Sequence, residues 1–210
     1  MEYLPLIIVL LVLLYLFLLW RQKNSSKKEQ PQVTESPRKQ ELRLENVKQG
    51  GVVSLSGVGE KLENLDLVIT RVNGYRQGGF TWSELEAEYG GEKVFIEIED
   101  DDDLEFSLTM QSLDLKEIGL TRSDLNQITE EEEGTVTYNG ASYYFEEMGE
   151  AAFLKDNKEE NAEEFRYWEF MTEDEGRTLT VEEWSDGSWN VSLSENIEPH
   201  QVTVYSLQEG

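Results

Sequence analysis

The 210-residue chain predicts a mainly β protein: a single-pass N-terminal transmembrane helix plus a β-rich domain of two similar antiparallel halves. Three observations carry this. Leu4 to Trp20 is one apolar run without a charge. Beyond residue 46 the apolar residues alternate at period two, the signature of half-buried strands, and Gly- and Asp-bearing turns separate the runs. A weak internal repeat relates residues 95–106 to residues 167–181. The organisation expected is an anchor over 1–20, a flexible linker over 21–45 and an acidic β-rich domain over 46–210.

The apolar run reads LPLIIVLLVLLYLFLLW and stops at Arg21, Lys23, Lys27 and Lys28. A helix of that length spans roughly 26 Å, slightly under the ~30 Å hydrocarbon core of a bilayer. Tyr3 and Trp20 sit at its ends, where an aromatic belt belongs. A secretory signal would begin basic and end at a small-residue cleavage site. Here Glu2 precedes the run and Leu18, Leu19 and Trp20 close it, so an uncleaved anchor is the reading. Lys and Arg flank only its C-terminal end, which places residues 21–210 in the cytoplasm by the positive-inside rule. The expected location is therefore the cell membrane, with the acidic domain cytoplasmic.

Residues 1–45 hold 7 Lys+Arg against 5 acids, and the rest of the chain holds 11 against 39. Phosphate recognition needs clustered Lys and Arg, so nucleic acid is excluded as a partner. Four tryptophans beyond the anchor, at 82, 168, 184 and 189, supply core material that an acidic disordered tail would lack. There is no cysteine, which removes disulfides, thiolate zinc sites and cysteine nucleophiles together.

The strands follow in order. Leu67 and Ile69 alternate with Val68 and Thr70. Val94, Ile96 and Ile98 point one way; Lys93, Glu97 and Glu99 point the other, with Phe95 among them. Leu104, Phe106, Leu108 and Met110 form the next period-two set. Asp100, Asp101, Asp102 and Asp103 lie between these strands and make an acidic hairpin tip. Thr121 to Ile128 predicts a short helix with Thr121 as N-cap, and Glu130 to Glu133 follow as a connector. Val136 and Tyr138 lead to Asn139-Gly140, a two-residue hairpin signal, and then to Tyr143 and Phe145. Phe165, Tyr167 and Met171 alternate next. Leu179 and Val181 follow a turn at 173–176, and Asp186-Gly187 turns the chain into Trp189, Val191 and Leu193. Val202 and Val204 close the fold. The repeat aligns Phe95-Ile96-Glu97-Ile98 with Tyr167-Trp168-Glu169-Phe170, and Leu104-Glu105-Phe106 with Leu179-Thr180-Val181.

Several motifs carry a resemblance. They are Val136-Thr137-Tyr138-Asn139-Gly140 with Tyr143, Glu147 to Ala151, Tyr167 to Phe170, Leu179 to Trp184, and earlier Trp82 to Leu85 and Phe95 to Ile98. With these the chain resembles the bacterial family known as domain of unknown function 4178, over about residues 50–205. The resemblance implies a β-rich domain often found in membrane-associated bacterial proteins. It supplies no catalytic residues. It also implies an association with polyamine-synthesis and membrane-stress genes.

Nucleophilic and phosphate-loop chemistry find no support. The one histidine, His200, has no G-x-S-x-G elbow to pair with. Gly57 to Lys61 lacks the spacing and the following Ser/Thr of a P-loop. The expected protein is a non-enzymatic, membrane-anchored interaction or regulatory module linked to the bacterial envelope. It needs no cofactor, touches the bilayer through Leu4–Trp20 and engages a protein partner at the membrane. The alternative is a domain that binds a small cation, a polyamine or a divalent metal. Trp168 and Trp184 are the candidate ligand or partner residues, as cation-binding aromatics. Asp100, Asp101, Asp102 and Asp103 are the candidate oxygen donors.

Overall fold

The computed structural model describes residues 41–58, 62–100 and 104–208. The apolar run Leu4–Trp20, the linker up to residue 40, and Asp101, Asp102 and Asp103 lie outside the described residues. Among the described residues no helix is long and apolar enough to cross a membrane.

The domain is mainly β and antiparallel, as expected. Its strands are β1 (Val52–Val58), β2 (Leu62–Gln77), β3 (Phe80–Tyr89), β4 (Glu92–Asp100), β5 (Leu104–Leu113), β6 (Thr135–Tyr138), β7 (Ala141–Leu154), β8 (Ala162–Met171), β9 (Arg177–Trp184), β10 (Trp189–Asn196) and β11 (Val202–Ser206). A single α-helix among the described residues, α1 (Arg122–Glu131), connects β5 to β6.

The strand order is β11-β1-β2-β3-β4-β5-β10-β9-β8-β7-β6, and β7 also pairs with β2. That extra pairing sets Gly74, Tyr75 and Arg76 against Leu154, Phe153 and Ala152. It closes β2–β5 and β10–β7 into a ring of eight strands. A closed ring removes edges that would otherwise recruit another chain. β1 and β11 extend the sheet beyond β2, and β6 extends it beyond β7. By position in this order β4 corresponds to β9, whereas the sequence repeat aligned the β4 motif with β8.

Short strands were expected, yet β2 has 16 residues and β7 has 14. Both are long because each serves different neighbours along its length. The first half of β2 pairs with β1 and its last residues pair with β7. β7 pairs with β6 at its start and with β2 at its end. The predicted Asn139-Gly140 turn is present, with φ of 47° and 79°, the positive values a tight two-residue turn requires. Thr121 caps α1: its hydroxyl accepts from the Asp124 N–H at 3.3 Å, and Asp124 Oδ2 accepts from the Thr121 N–H at 2.8 Å. The helix runs further than predicted, into the acidic connector as far as Glu131, where Gln127 donates to Glu131 at 3.0 Å. Glu132, at φ 52°, ends it.

Alternation along the ring strands splits apolar from polar side chains. Val94, Ile96 and Ile98 of β4, Phe106 and Leu108 of β5, and Leu85 of β3 join Leu55 of β1 and Leu65, Leu67 and Ile69 of β2 in one buried core. Val202 and Val204 of β11 pack against it, and Leu44, upstream of β1, is already part of it. A second core gathers Trp168 and Phe170 of β8, Leu179 and Val181 of β9, Val191 of β10, and Leu125 and Ile128 of α1. Apolar side chains thus leave the ring for two cores covered by β1, β11, β6 and α1. The opposite face of each ring strand is left to line the lumen.

Candidate functional site

The lumen is built from every second residue of the eight ring strands. Its middle chamber, of about 260 Å³, takes Tyr75 and Gln77 from β2, Trp82 from β3, Glu97 and Glu99 from β4, and Thr109 from β5. It takes Glu147 from β7, Tyr167 and Glu169 from β8, Glu182 from β9, and Ser192 and Ser194 from β10. Five glutamates therefore face one chamber, and among the described residues no Lys, Arg or His lines it. A larger chamber of about 620 Å³ shares Tyr75, Glu97, Thr109, Glu182 and Ser192 with it and adds Glu84, Asn73, Asn190, Phe153 and Trp184. A third, of about 150 Å³, shares Glu97, Glu99 and Glu169 and adds Glu105 and Asn196. Glu97 lines all three.

The two ends differ in charge. Around the large chamber, Arg71 Nη1 lies 2.8 Å and Lys93 Nζ 3.0 Å from the Glu86 carboxylate, and Arg71 Nε also reaches Asp156 at 3.1 Å. Among the described residues, the charged groups that line the small chamber are all acids. It adjoins the β4–β5 hairpin, where Glu99 stands opposite Glu105 and Asp100 opposite Leu104.

Polar partners fix some of the acids and leave others bare. Asn73 donates to Glu84 Oε1 at 2.8 Å and Tyr75 to Oε2 at 2.9 Å. Asn190 and the Trp184 indole donate to Glu182 Oε2 at 3.0 and 3.2 Å. Tyr167 donates to Glu147 at 2.6 Å. Gly149 makes this possible: a Cβ there would lie 2.8 Å from the Tyr167 hydroxyl. Glu97 and Glu169 have no hydrogen-bond or ion-pair partner among the described residues.

Burial raises the proton affinity of Glu84, Glu97, Glu169 and Glu182. Burial pushes Glu84 up to about 7, against the opposing bonds from Asn73 and Tyr75. Burial, then the neighbouring Glu147, pushes Glu169 up to about 7. Glu97 is driven well above the ordinary carboxylate range by burial first and by Glu84 and Glu99 next. Glu182 is raised by burial too. Both lumen tyrosines are held protonated by burial, then by the adjacent Glu84 for Tyr75 and Glu147 for Tyr167.

Aromatic rings complete the wall around the β2–β7 closure. Tyr75 stacks on Trp82 at 5.1 Å, and Phe165 stacks on Trp184 at 4.9 Å. Phe153 links the two stacks, 5.2 Å from Tyr75 and 5.9 Å from Trp184. The negative faces of such rings attract cations.

The candidate residues named from sequence fall in different places. Trp184 lines the lumen. Trp168 is 0% exposed in the second core, donates to Thr129 Oγ1 of α1 at 2.8 Å and stacks on Trp189, so it presents no surface to a ligand. They lie on paired strands, Trp168 opposite Val181 and Trp184 opposite Phe165, an offset of three residues that sends the two rings to opposite faces of the sheet. Asp100 is exposed at the end of β4; Asp101, Asp102 and Asp103 lie outside the described residues. Sequence reasoning did not single out Glu84, Glu97, Glu147, Glu169 and Glu182. A signal for them exists. On the polar faces of these strands a glutamate stands two residues from an aromatic: Trp82 and Glu84, Phe95 and Glu97, Tyr167 and Glu169, Glu182 and Trp184. A solvated strand face seldom pairs acids with large rings.

Chemically, the lumen presents carboxylate and hydroxyl acceptors beside aromatic ring faces. Among the described residues no group of three or more His, Asp or Glu is placed to hold a metal ion. No curated protein and no solved structure matches the chain. The family described as a domain of unknown function, DUF4178, matches over residues 61–199. That span begins at the start of β2 and ends after β10, so it takes in every strand of the ring, and the chain belongs to the DUF4178 family.

Proposed function

We propose that the domain is a non-enzymatic receptor for a small organic cation bearing two or more ammonium groups, of the polyamine class, held in the barrel lumen. One observation carries the reading: five glutamates and a wall of aromatic rings share a chamber that no basic side chain among the described residues lines. Glu97 and Glu169, without partners among the described residues, are the acceptors left for a ligand. Ammonium groups satisfy isolated carboxylates one at a time, whereas a divalent metal needs several oxygens converging on one point. The lumen therefore favours the organic cation.

Leu4–Trp20 would tether this receptor to the membrane with the domain on the cytoplasmic side. Two similar halves, β1–β5 and β6–β10, would each give four strands to the ring. The expected protein partner fits as the reader of the loaded state. The observation favouring it is that, among the described residues, the sheet ends at β6 and β11, edges of the kind that accept a strand from another chain.

Calorimetry of the full chain in detergent with spermidine, at physiological salt, tests the proposal. Saturable binding that survives added salt supports it, because buried pairs are screened little. Weak uptake that salt abolishes would be the generic attraction of an acidic surface and would reject it.

A further inference from the structure

Cation binding and proton binding compete for the same oxygens in this lumen. The titratable groups come from most of the surrounding strands: Tyr75 of β2, Glu84 of β3, Glu97 and Glu99 of β4, Glu147 of β7, Tyr167 and Glu169 of β8, and Glu182 of β9. β5 and β10 contribute Thr109, Ser192 and Ser194 to the middle chamber, which do not titrate. Outside the middle chamber, Glu105 of β5 stands at the acidic end and Glu146 of β7 adds its field to that of Glu147 at Glu169. The nearest bases are at the far end, where Arg71 and Lys93 are already committed to Glu86 and Lys155 borders the large chamber. Among the described residues no Lys, Arg or His lines the middle chamber.

We infer that the lumen is a proton-for-ammonium exchanger: empty, it holds protons on its central glutamates, and each ammonium that enters releases a proton to solvent. This rests on the cation-receptor reading above. The physical reason is that several carboxylates sharing one chamber, which no Lys, Arg or His among the described residues lines, resist being ionised all at once. An entering ammonium supplies the missing charge. The carboxylic O–H bond breaks and the proton goes to water. The carboxylate then accepts an N–H from the ammonium, which keeps all its own protons. The net charge of the lumen is unchanged, so loading does not build up field in the barrel. The raised proton affinities of Glu84 and Glu169, both about 7, agree with this and set the range in which exchange operates.

The consequence is a receptor that loads as pH rises. Proton linkage makes affinity increase by up to about tenfold per pH unit for each proton released. Below the range the protons win; above it fewer protons remain to be exchanged.

The test is calorimetry of the full chain in detergent with spermidine at pH 7, in phosphate and in Tris. These buffers differ in protonation enthalpy, so the difference in apparent heat counts protons released. One or more protons per spermidine is expected, together with an affinity that climbs several-fold from pH 6 to pH 7. Glu97→Gln should lower the proton count, whereas Glu88→Gln, on an exposed position of β3, should not. Glu169→Gln serves as the second variant if Glu97→Gln does not fold. Binding with equal heats in both buffers and flat pH dependence would overturn the exchange and leave the receptor standing. No saturable binding at any pH would overturn the receptor itself. Carboxyl carbon NMR of the ligand-free chain supplies an independent readout. Lumen glutamates titrating near pH 7 support the exchange; all of them ionised by pH 6 reject it.

Discussion

Glu97 on β4 and Glu182 on β9 face one middle chamber from strands that are not neighbours, and among the described residues no basic side chain lines that chamber. Burial raises both. A ring of strands normally turns apolar residues inward; this one turns them outward, into two flanking cores, and keeps carboxylates inside.

The first prediction concerns pH and stability. Glu84 and Glu169 have proton affinities raised to about 7 in the fold, against ordinary carboxylates when unfolded. The folded state therefore binds more protons than the unfolded state between those values. The stabilisation is complete below the unfolded value and is lost as pH rises through about 7. The ligand-free chain should unfold at lower urea concentration at pH 8 than at pH 5, with a loss on the order of 3 kcal/mol. Asp124 works in the opposite sense, because the Thr121 side chain and N–H lower it. Its contribution is present above its unfolded value and is lost in stronger acid. Maximum stability is expected near pH 5, and a flat profile from pH 5 to pH 8 would contradict the buried carboxylates.

The two tryptophans should separate fold from ligand. Trp168→Ala removes a fully buried ring and the bond to Thr129, and should cost about 3–5 kcal/mol in urea unfolding. Trp184→Leu should leave the fold cooperative. It removes a lumen ring and a donor to Glu182, and should weaken spermidine by roughly fivefold, the equivalent of about 1 kcal/mol of cation–π attraction. Equal effects of both variants on affinity would argue against the lumen as the site.

The helix cap gives a local test. Thr121→Ala should destabilise the domain by about 1 kcal/mol, and Thr121→Ser should restore most of it. The reason is that α1 covers the second core with Leu125 and Ile128, so fraying its first turn loosens that packing. Chemical denaturation of the three proteins under identical conditions checks it; an unchanged midpoint for Thr121→Ala would refute it.

Topology is testable with fusions. A fluorescent protein fused after Gly210 should mature, and a periplasm-dependent phosphatase at the same point should stay silent. Changing Arg21, Lys23, Lys27 and Lys28 together to Gln should weaken the orientation bias while leaving the apolar run able to insert. An active phosphatase fusion in the unaltered chain would reverse the assignment and move the receptor outside the cytoplasm.

The sequence by itself determined the β class, most strands, the Asn139-Gly140 turn and the Thr121 cap. These are set by interactions within a few residues: period-two alternation, positive φ in a tight turn, a hydroxyl three residues from a backbone N–H. It could not reveal the ring. Closure depends on Tyr75 meeting Phe153, residues far apart in the chain, and a polar strand face looks the same in sequence whether it meets water or a lumen. Tertiary structure alone decided that Glu97 and Glu169 line the lumen without a hydrogen-bond or ion-pair partner among the described residues while Asp100 is exposed. It also decided that Trp184 lines the lumen while Trp168 is core. The physical reason is that exposure is a property of which faces pack together, and only the closed sheet fixes that.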